Sequence, residues 1–169
     1  MTPDWDEDVS QTVRDKFEWL AAKIPGLAEY RGRQGLRDQD RLIREAAADR
    51  IVDLRRHIDG VKADLLNFGG LSWLDDLDAL GGKLDALAGS LRAATAGMGG
   101  QSATGSVTRE KLEAIIAHDR ELLERIEKAT APPDSGEHDA AARVAALRDN
   151  VAVLDRLVIE RKQLWTKLD

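Results

Sequence analysis

One long apolar seam constrains the fold more than any other feature of the sequence. Between Leu36 and Phe68 the apolar residues recur at helical spacing, and from Ile51 onward the intervals are 3, 4, 3, 4 and 3 residues, as at the a and d positions of a coiled coil. A helix of this length spans roughly 50 Å at about 1.5 Å per residue. Other helices must therefore lie along it. The seam consists of Ile43, Ala47, Ile51, Leu54, Ile58, Val61, Leu65 and Phe68.

Further apolar stripes at helical spacing predict four more helices in the same domain. The chain has 169 residues, which is enough to bury a core without disulfides or a structural metal. The sequence therefore predicts an all-α fold, an antiparallel bundle of four to five helices, in which the second and fifth helices pair over most of their span. The predicted segments of this single domain (1–169) are an N-terminal helix and turn (1–26), a long helix (27–68), a helix (72–96), a flexible glycine-rich loop (97–107), and two helices (108–130 and 139–168).

Turn and cap residues mark several of these boundaries. Pro25 and Gly26 end the first helix, because the proline ring disfavours helical geometry in the residue before it. Gly69 is typical of the position just after a helix, and Ser72 is predicted as the N-cap of the third helix. Thr108 is predicted as the N-cap of the fourth.

The residues that would support catalysis or metal binding are not arranged for either. The chain has no cysteine, and no Glu-x-x-His pair suggests a di-iron site. The glycine-rich loop lacks the lysine and serine or threonine of a phosphate-binding loop. His118-Asp119 with Glu121 is interpreted as a surface histidine beside helical salt bridges rather than as an acid–base site. We therefore expect no catalytic residues, no cofactor and no metal, and predict that the protein is not an enzyme.

A row of arginines is the most suggestive feature for binding. Intervals of 4, 4 and 3 residues separate its members and place their guanidinium groups on one helical face, with Arg31 nearby. Forked guanidinium groups bind phosphate and carboxylate well. Three interpretations stay open, namely a solvated face neutralised by Asp38, Asp40 and Glu45, an acidic protein surface, and a lipid or nucleic-acid backbone. The row is Arg33, Arg37, Arg41 and Arg44.

Acidic residues and tryptophans give further candidate contact residues. The N-terminus is acidic, and it could meet the arginine row of the same or a neighbouring molecule. Trp165 fits the apolar stripe of the last helix, whereas three other tryptophans lie beside their stripes, where they either cover bundle ends or anchor a partner. The acidic residues are Asp4, Asp6, Glu7 and Asp8, and the three tryptophans are Trp5, Trp19 and Trp73.

Short motifs resemble those of a family of uncharacterised bacterial all-helical proteins. In the opening part of the chain the resemblance rests on Ile24-Pro25-Gly26, Tyr30-Arg31-Gly32-Arg33, Leu36-Arg37, Asp40 and Leu42-Ile43-Arg44. In a later helix it rests on the stretch from Leu112 to Ile126, which includes His118-Asp119 and Leu122-Leu123. The resemblance covers most of the chain. It implies a bacterial origin and no particular activity.

Taken together, these patterns predict a non-enzymatic helical scaffold or interaction protein that self-associates or binds a protein partner. The alternative is a peripheral membrane or polyanion-binding protein that uses the arginines from Arg31 to Arg44. Nucleic acid is disfavoured by the formal net charge of −6. No apolar run reaches the length of a membrane span, and the N-terminus lacks the order of a secretory signal, so we expect a cytoplasmic protein.

Overall fold

Five α-helices make up most of the part of the chain that the structure describes. The computed structural model describes residues 9–32, 35–94, 107–132 and 139–166. Within those ranges no strand is present, so the all-α fold predicted from the apolar stripes is confirmed. Short 3₁₀ turns, Leu27–Tyr30 and Leu71–Trp73, precede the second and third helices. The helices are α1 (Gln11–Lys23), α2 (Leu36–Asn67), α3 (Leu74–Ala93), α4 (Arg109–Thr130) and α5 (Ala140–Thr166).

The helices form two hairpins that pack side by side. The helices α2 and α3 form one antiparallel hairpin, and α4 and α5 form the other. In the four-helix core α2 lies beside α4 and α3 beside α5, while α1 packs on the outer side of α4. The predicted pairing of the second and fifth helices is wrong, because α2 and α5 lie diagonally across the core. Short connections favour pairing between sequence neighbours, whatever their relative lengths.

The long seam forms the centre of the core, with one exception. Ile51, Leu54 and Ile58 are fully buried, and each contributes about 1.5–3 kcal/mol through removal of apolar surface from water. The seam stays buried as far as Leu65. Phe68, which the spacing predicts as its last member, is instead 88% exposed. The helix ends at Asn67, so the helical spacing no longer sets the direction of the next side chain.

The end of α2 is closed by backbone hydrogen bonds rather than by a side chain. The N–H of Gly70 donates to the carbonyl of Leu65 at 2.8 Å, and the N–H of Gly69 donates to the carbonyl of Leu66 at 3.4 Å. This pair of bonds is a Schellman motif, which requires a left-handed backbone conformation at the residue just after the helix. Glycine adopts that conformation freely, and Gly69 has φ 81°. The predicted role of Gly69 is thus confirmed, and the turn is fixed at the backbone level.

The two predicted N-caps have different outcomes. Thr108 caps α4, because its hydroxyl accepts a hydrogen bond from the N–H of Lys111 at 3.3 Å. Ser72 is not a cap, since it lies inside the 3₁₀ turn and α3 begins only at Leu74 without a side-chain cap bond. The neighbouring Val107 is buried against the core.

Polar contacts tie α1 to the outside of α4. The carboxylate of Glu113 accepts a hydrogen bond from the backbone N–H of Ser10 at 2.6 Å, at the start of α1. At its end, the ammonium of Lys23 contacts Glu127 at 2.7 Å. The two contacts show that α1 and α4 run in the same direction. Gly26, with φ 82°, then reverses the chain towards α2.

Candidate interaction surface and buried ionic cluster

Arg41 of the arginine row and the neighbouring Arg31 are neutralised within the molecule. Arg31 contacts Glu18 at 2.7 Å. Arg41 contacts Asp38 at 3.3 Å and lies 3.8 Å from Glu45, as the solvated-face interpretation predicts. Arg37 also interacts within the molecule, and Arg33 lies outside the described residues.

Arg44 does not belong to this exposed row. Its side chain is buried, and its Nε donates to Asp40 at 2.8 Å while its Nη1 donates to the carbonyl of Leu91 on α3 at 3.0 Å. The prediction that Arg44 shares a solvated face with Arg41 is therefore wrong. Arg44 follows Arg41 by three residues, a rotation of about 300° around the helix axis, which is equivalent to 60° in the opposite direction. This rotation places Arg44 in the interior, whereas Arg41 lies at the edge of the apolar stripe.

A buried ionic cluster lies at the level of Arg44 and links α2, α4 and α5, and Arg44 also connects it to the backbone of α3. Arg161 of α5 donates from Nη1 to Asp40 at 2.8 Å. The same guanidinium group makes a two-pronged contact with Asp119 of α4, at 2.7 Å from Nε and 3.3 Å from Nη2. Its two arginines and two aspartates balance in charge, as buried ions require. The ionic cluster consists of Asp40, Arg44, Asp119 and Arg161, each at most 9% exposed.

Burial and pairing have opposite effects on the protonation of this cluster. Burial raises the pKa of Asp119 above the usual range of aspartate, and the neighbouring guanidinium of Arg161 only partly opposes that effect. Burial alone would lower the pKa of Arg161, but Asp119 and Asp40 outweigh it and raise that pKa. The arginine is therefore held firmly in its charged form.

Aromatic and polar groups surround the ionic cluster. The guanidinium of Arg161 lies 5.7 Å from the ring centroid of Trp165, and Gln39 donates to the carbonyl of Gly32 at 3.1 Å and to that of Tyr30. The hydrogen bond from Gln39 to Tyr30 connects the segment before α2 to that helix. His118 adjoins the cluster on α4, and its Nε2 lies 3.7 Å from Glu160.

His118 is not the surface residue that the sequence suggests. Its side chain is only 10% exposed, and among the described residues neither ring nitrogen has a hydrogen-bond partner. Its neighbour Asp119 is committed to Arg161. Within the described ranges, no group of three or more His, Asp or Glu side chains is arranged to hold a metal ion. The described polar contacts of this region are ion pairs and hydrogen bonds that link helices.

The predicted tryptophan anchors are mostly occupied within the molecule. The ring of Trp19 is flanked by Lys23, whose ammonium lies 4.5 Å from the centroid, and by Arg120, whose guanidinium carbon lies at 5.2 Å. Trp19 and Trp73 are half-buried against the core, and Trp165 is buried in it as predicted. Trp5 and the acidic residues Asp4, Asp6, Glu7 and Asp8 lie outside the described residues.

Three large apolar side chains are exposed together at the turn between α2 and α3. Leu66 is 46% exposed, Phe68 88% and Leu71 68%. We call these three residues the apolar tip. Exposed apolar groups gathered at one place commonly mark a contact site for another molecule. The sequence signal was the helix-ending Gly69-Gly70 pair, which shows that Phe68 follows the helix rather than ending its seam.

Acidic side chains border the apolar tip. Asp64 in the last turn of α2 and Asp75 in the first turn of α3 are both exposed. Two further aspartates are paired across helices, Asp76 with Arg148 at 3.2 Å and Asp78 with Lys62. The tip thus combines an apolar centre with a negative rim.

Comparison with protein-family models, with curated proteins and with solved structures found no match for this chain. The resemblance to a bacterial helical family therefore stays a prediction. Among the described helices, none is both long enough and apolar enough to cross a membrane. Functional conclusions rest on the residues themselves.

Proposed function

We propose that the protein is a non-enzymatic helical interaction protein that binds a protein partner through the apolar tip. The observation that carries this proposal is the exposure of Leu66, Phe68 and Leu71 at a single turn. Complete burial of a phenylalanine or leucine side chain is worth about 1.5–3 kcal/mol. Transfer of this turn into a partner would recover much of that free energy.

The backbone of the turn is fixed by contacts within the molecule. The Schellman motif fixes Gly69 and Gly70, and Trp73, the last residue of the 3₁₀ turn, packs against the core. A contact loop that is already ordered loses little conformational entropy on association. Aromatic residues in such positions frequently dominate binding energy, so Phe68 is the principal anchor in this proposal.

The negative rim defines the partner's chemistry. Asp64 and Asp75 favour a partner with an apolar pocket bordered by lysine or arginine. The same charges oppose binding to anionic lipid or to nucleic acid, and they oppose contact between the tips of two copies. Self-association through the arginine row is also disfavoured, because the carboxylates of Glu18, Asp38 and Glu45 already lie beside Arg31 and Arg41.

Site-specific photo-cross-linking in native host cells tests the proposal. A photoreactive phenylalanine analogue is placed at Phe68 and, as a matched control, at Ile159, which is 51% exposed on α5 and distant from the tip. We expect one protein to be cross-linked from position 68 and not from position 159. The captured protein is then purified and mixed with the protein and its Phe68→Ala variant, and loss of binding in the variant would support the proposal. Equal labelling from both positions, or labelling of lipid or nucleic acid alone, would contradict it.

A further inference from the structure

A cleft lies towards the end of the bundle that carries the apolar tip, where α4 ends before α2 does. The guanidinium of Arg50, in the middle of α2, bonds Glu127 in the last turn of α4 at 3.4 Å. The helix α4 ends at Thr130, whereas α2 continues to Asn67. Beyond that point α2 and α5, which lie diagonally in the core, have no described helix between them on that side.

The cleft has a volume of about 300 Å³, at the lower end of the range for small-molecule sites. Its apolar floor includes Val61 of α2 and Leu147 of α5, both of which belong to the core. The polar side chains that line it are those of His57, Lys128, Arg143 and Asn150. An apolar floor with a few convergent polar groups is the usual composition of a ligand site.

The described residues that line the cleft carry a charge opposite to that of the whole chain. No carboxylate is among the described residues that line it, although the whole chain has a formal net charge of −6. Most arginines between the helices are paired, including Arg50 with Glu127 and Arg148 with Asp76. Within the described ranges, by contrast, Lys128 and Arg143 have no ion pair. Two cations around an apolar floor attract an anion and reject a cation.

We propose that this cleft binds a small organic anion, with a phosphate monoester head between Lys128 and Arg143 and an apolar body on the floor. A doubly charged head suits two cations from different helices, which act as a clamp. His57 and Asn150 supply additional hydrogen-bonding groups at the wall. This inference is independent of the apolar tip, since none of its residues is shared with Leu66, Phe68 or Leu71.

Titrations followed by ¹H–¹⁵N NMR spectra test this proposal with four probes. Phenyl phosphate carries both the head and the body, inorganic phosphate only the head, phenol only the body, and benzoate the same body with a singly charged head. We expect phenyl phosphate to bind at least tenfold more tightly than each of the other three. Its amide shifts should be confined to the segments around His57, Lys128 and Arg143.

Matched variants separate a specific site from general charge attraction. Arg143→Gln and Lys128→Gln should each weaken the binding of phenyl phosphate at least tenfold. The controls Arg156→Gln and Lys162→Gln make the same charge changes at exposed positions of α5. They should change the affinity for phenyl phosphate by less than twofold. Ala146→Phe, which fills the cleft without changing charge, should abolish binding. Equal losses in the control variants, shifts spread over the surface, or benzoate as tight as phenyl phosphate would overturn the proposal.

Discussion

At the scale of single residues, Arg161 connects the two buried aspartates of the ionic cluster. The sequence shows it only as a polar interruption in the apolar stripe of the last helix. In the structure it pairs with Asp40 and Asp119, so that α2, α4 and α5 are linked at one level. A buried charge of this kind is stable only when its partners are present, because each ion has lost its contact with water.

Replacement of Arg161 by methionine should therefore be strongly destabilising. The variant leaves two buried aspartates without their shared cation, and removal of one member of a buried pair typically costs about 3–5 kcal/mol. Urea denaturation should show a loss of that size. The control Arg156→Met, at an exposed position of the same helix, should change the free energy of unfolding by less than about 0.5 kcal/mol. Similar effects in the two variants would show that the ionic cluster contributes nothing specific.

Glu113 gives a prediction with a defined pH dependence. The N–H of Ser10 holds the pKa of this carboxyl below its usual value, with the nearby Arg109 as a lesser cause. A lowered pKa in the folded state means that the carboxylate form adds stability above the ordinary glutamate pKa. That contribution is lost as the pH falls through the lower, folded-state pKa.

We therefore expect Glu113→Gln to be less stable than the parent protein at pH 7 and the difference to shrink progressively in acid. Urea midpoints measured from pH 7 to pH 3 check this expectation. Glu121→Gln, an exposed change on the same helix, is the control. A gap that widens in acid would contradict the assigned role of the Ser10 contact.

At the scale of helices, the sequence predicts features set by residues close along the chain. It misses features that depend on contacts with other helices. The apolar seam located α2 through Leu65, and Thr108 located the start of α4. The spacing pattern could not show that Phe68 points outward, because the backbone leaves the helix at that residue. It also placed Arg44 on the surface, since its burial depends on Asp40 and on the carbonyl of Leu91 in another helix.

Three glycines in α3 allow the effect of helix propensity on stability to be distinguished from the effect of packing. A methyl group at Gly82 or Gly89 would have no atom within 4 Å, whereas one at Gly81 would lie 2.6 Å from Nε of Arg55. Alanine is favoured over glycine within a helix by up to about 1 kcal/mol. Gly82→Ala and Gly89→Ala should therefore raise the thermal midpoint. Gly81→Ala should raise it less or lower it, because the side chain of Arg55, which contacts Asp59 and Asp85, must shift to make room for the methyl group. An equal rise in all three variants would show that this close approach has no energetic effect.

At the scale of the whole molecule, the bundle presents the apolar tip and the cationic cleft towards the same end. The ionic cluster lies towards the other end, where α2 starts and α3 finishes. None of the residues of the apolar tip therefore belongs to the ionic cluster. The Gly69-Gly70 pair indicates that Phe68 follows the helix, but the sequence does not show that Leu66, Phe68 and Leu71 are exposed together, because their exposure depends on how α3 packs against α2.

The proposal of a heterologous partner predicts a monomer in isolation. Light scattering coupled to size-exclusion chromatography should give the mass of one chain, 18.6 kDa, at both low and high salt. The negative rim around the tip and the internal pairing of the arginines are the physical reasons. A larger species that dissociates in salt would favour charge-driven self-assembly instead.

The most direct test of the central claim is the affinity of the purified cross-linked partner, measured by isothermal titration calorimetry. We predict that Phe68→Ala weakens binding at least tenfold, which corresponds to about 1.4 kcal/mol, while Ile159→Ala leaves the affinity unchanged. Both variants should remain folded, because both side chains are exposed. Equal affinity of Phe68→Ala and the parent protein would show that the apolar tip is not the recognition surface.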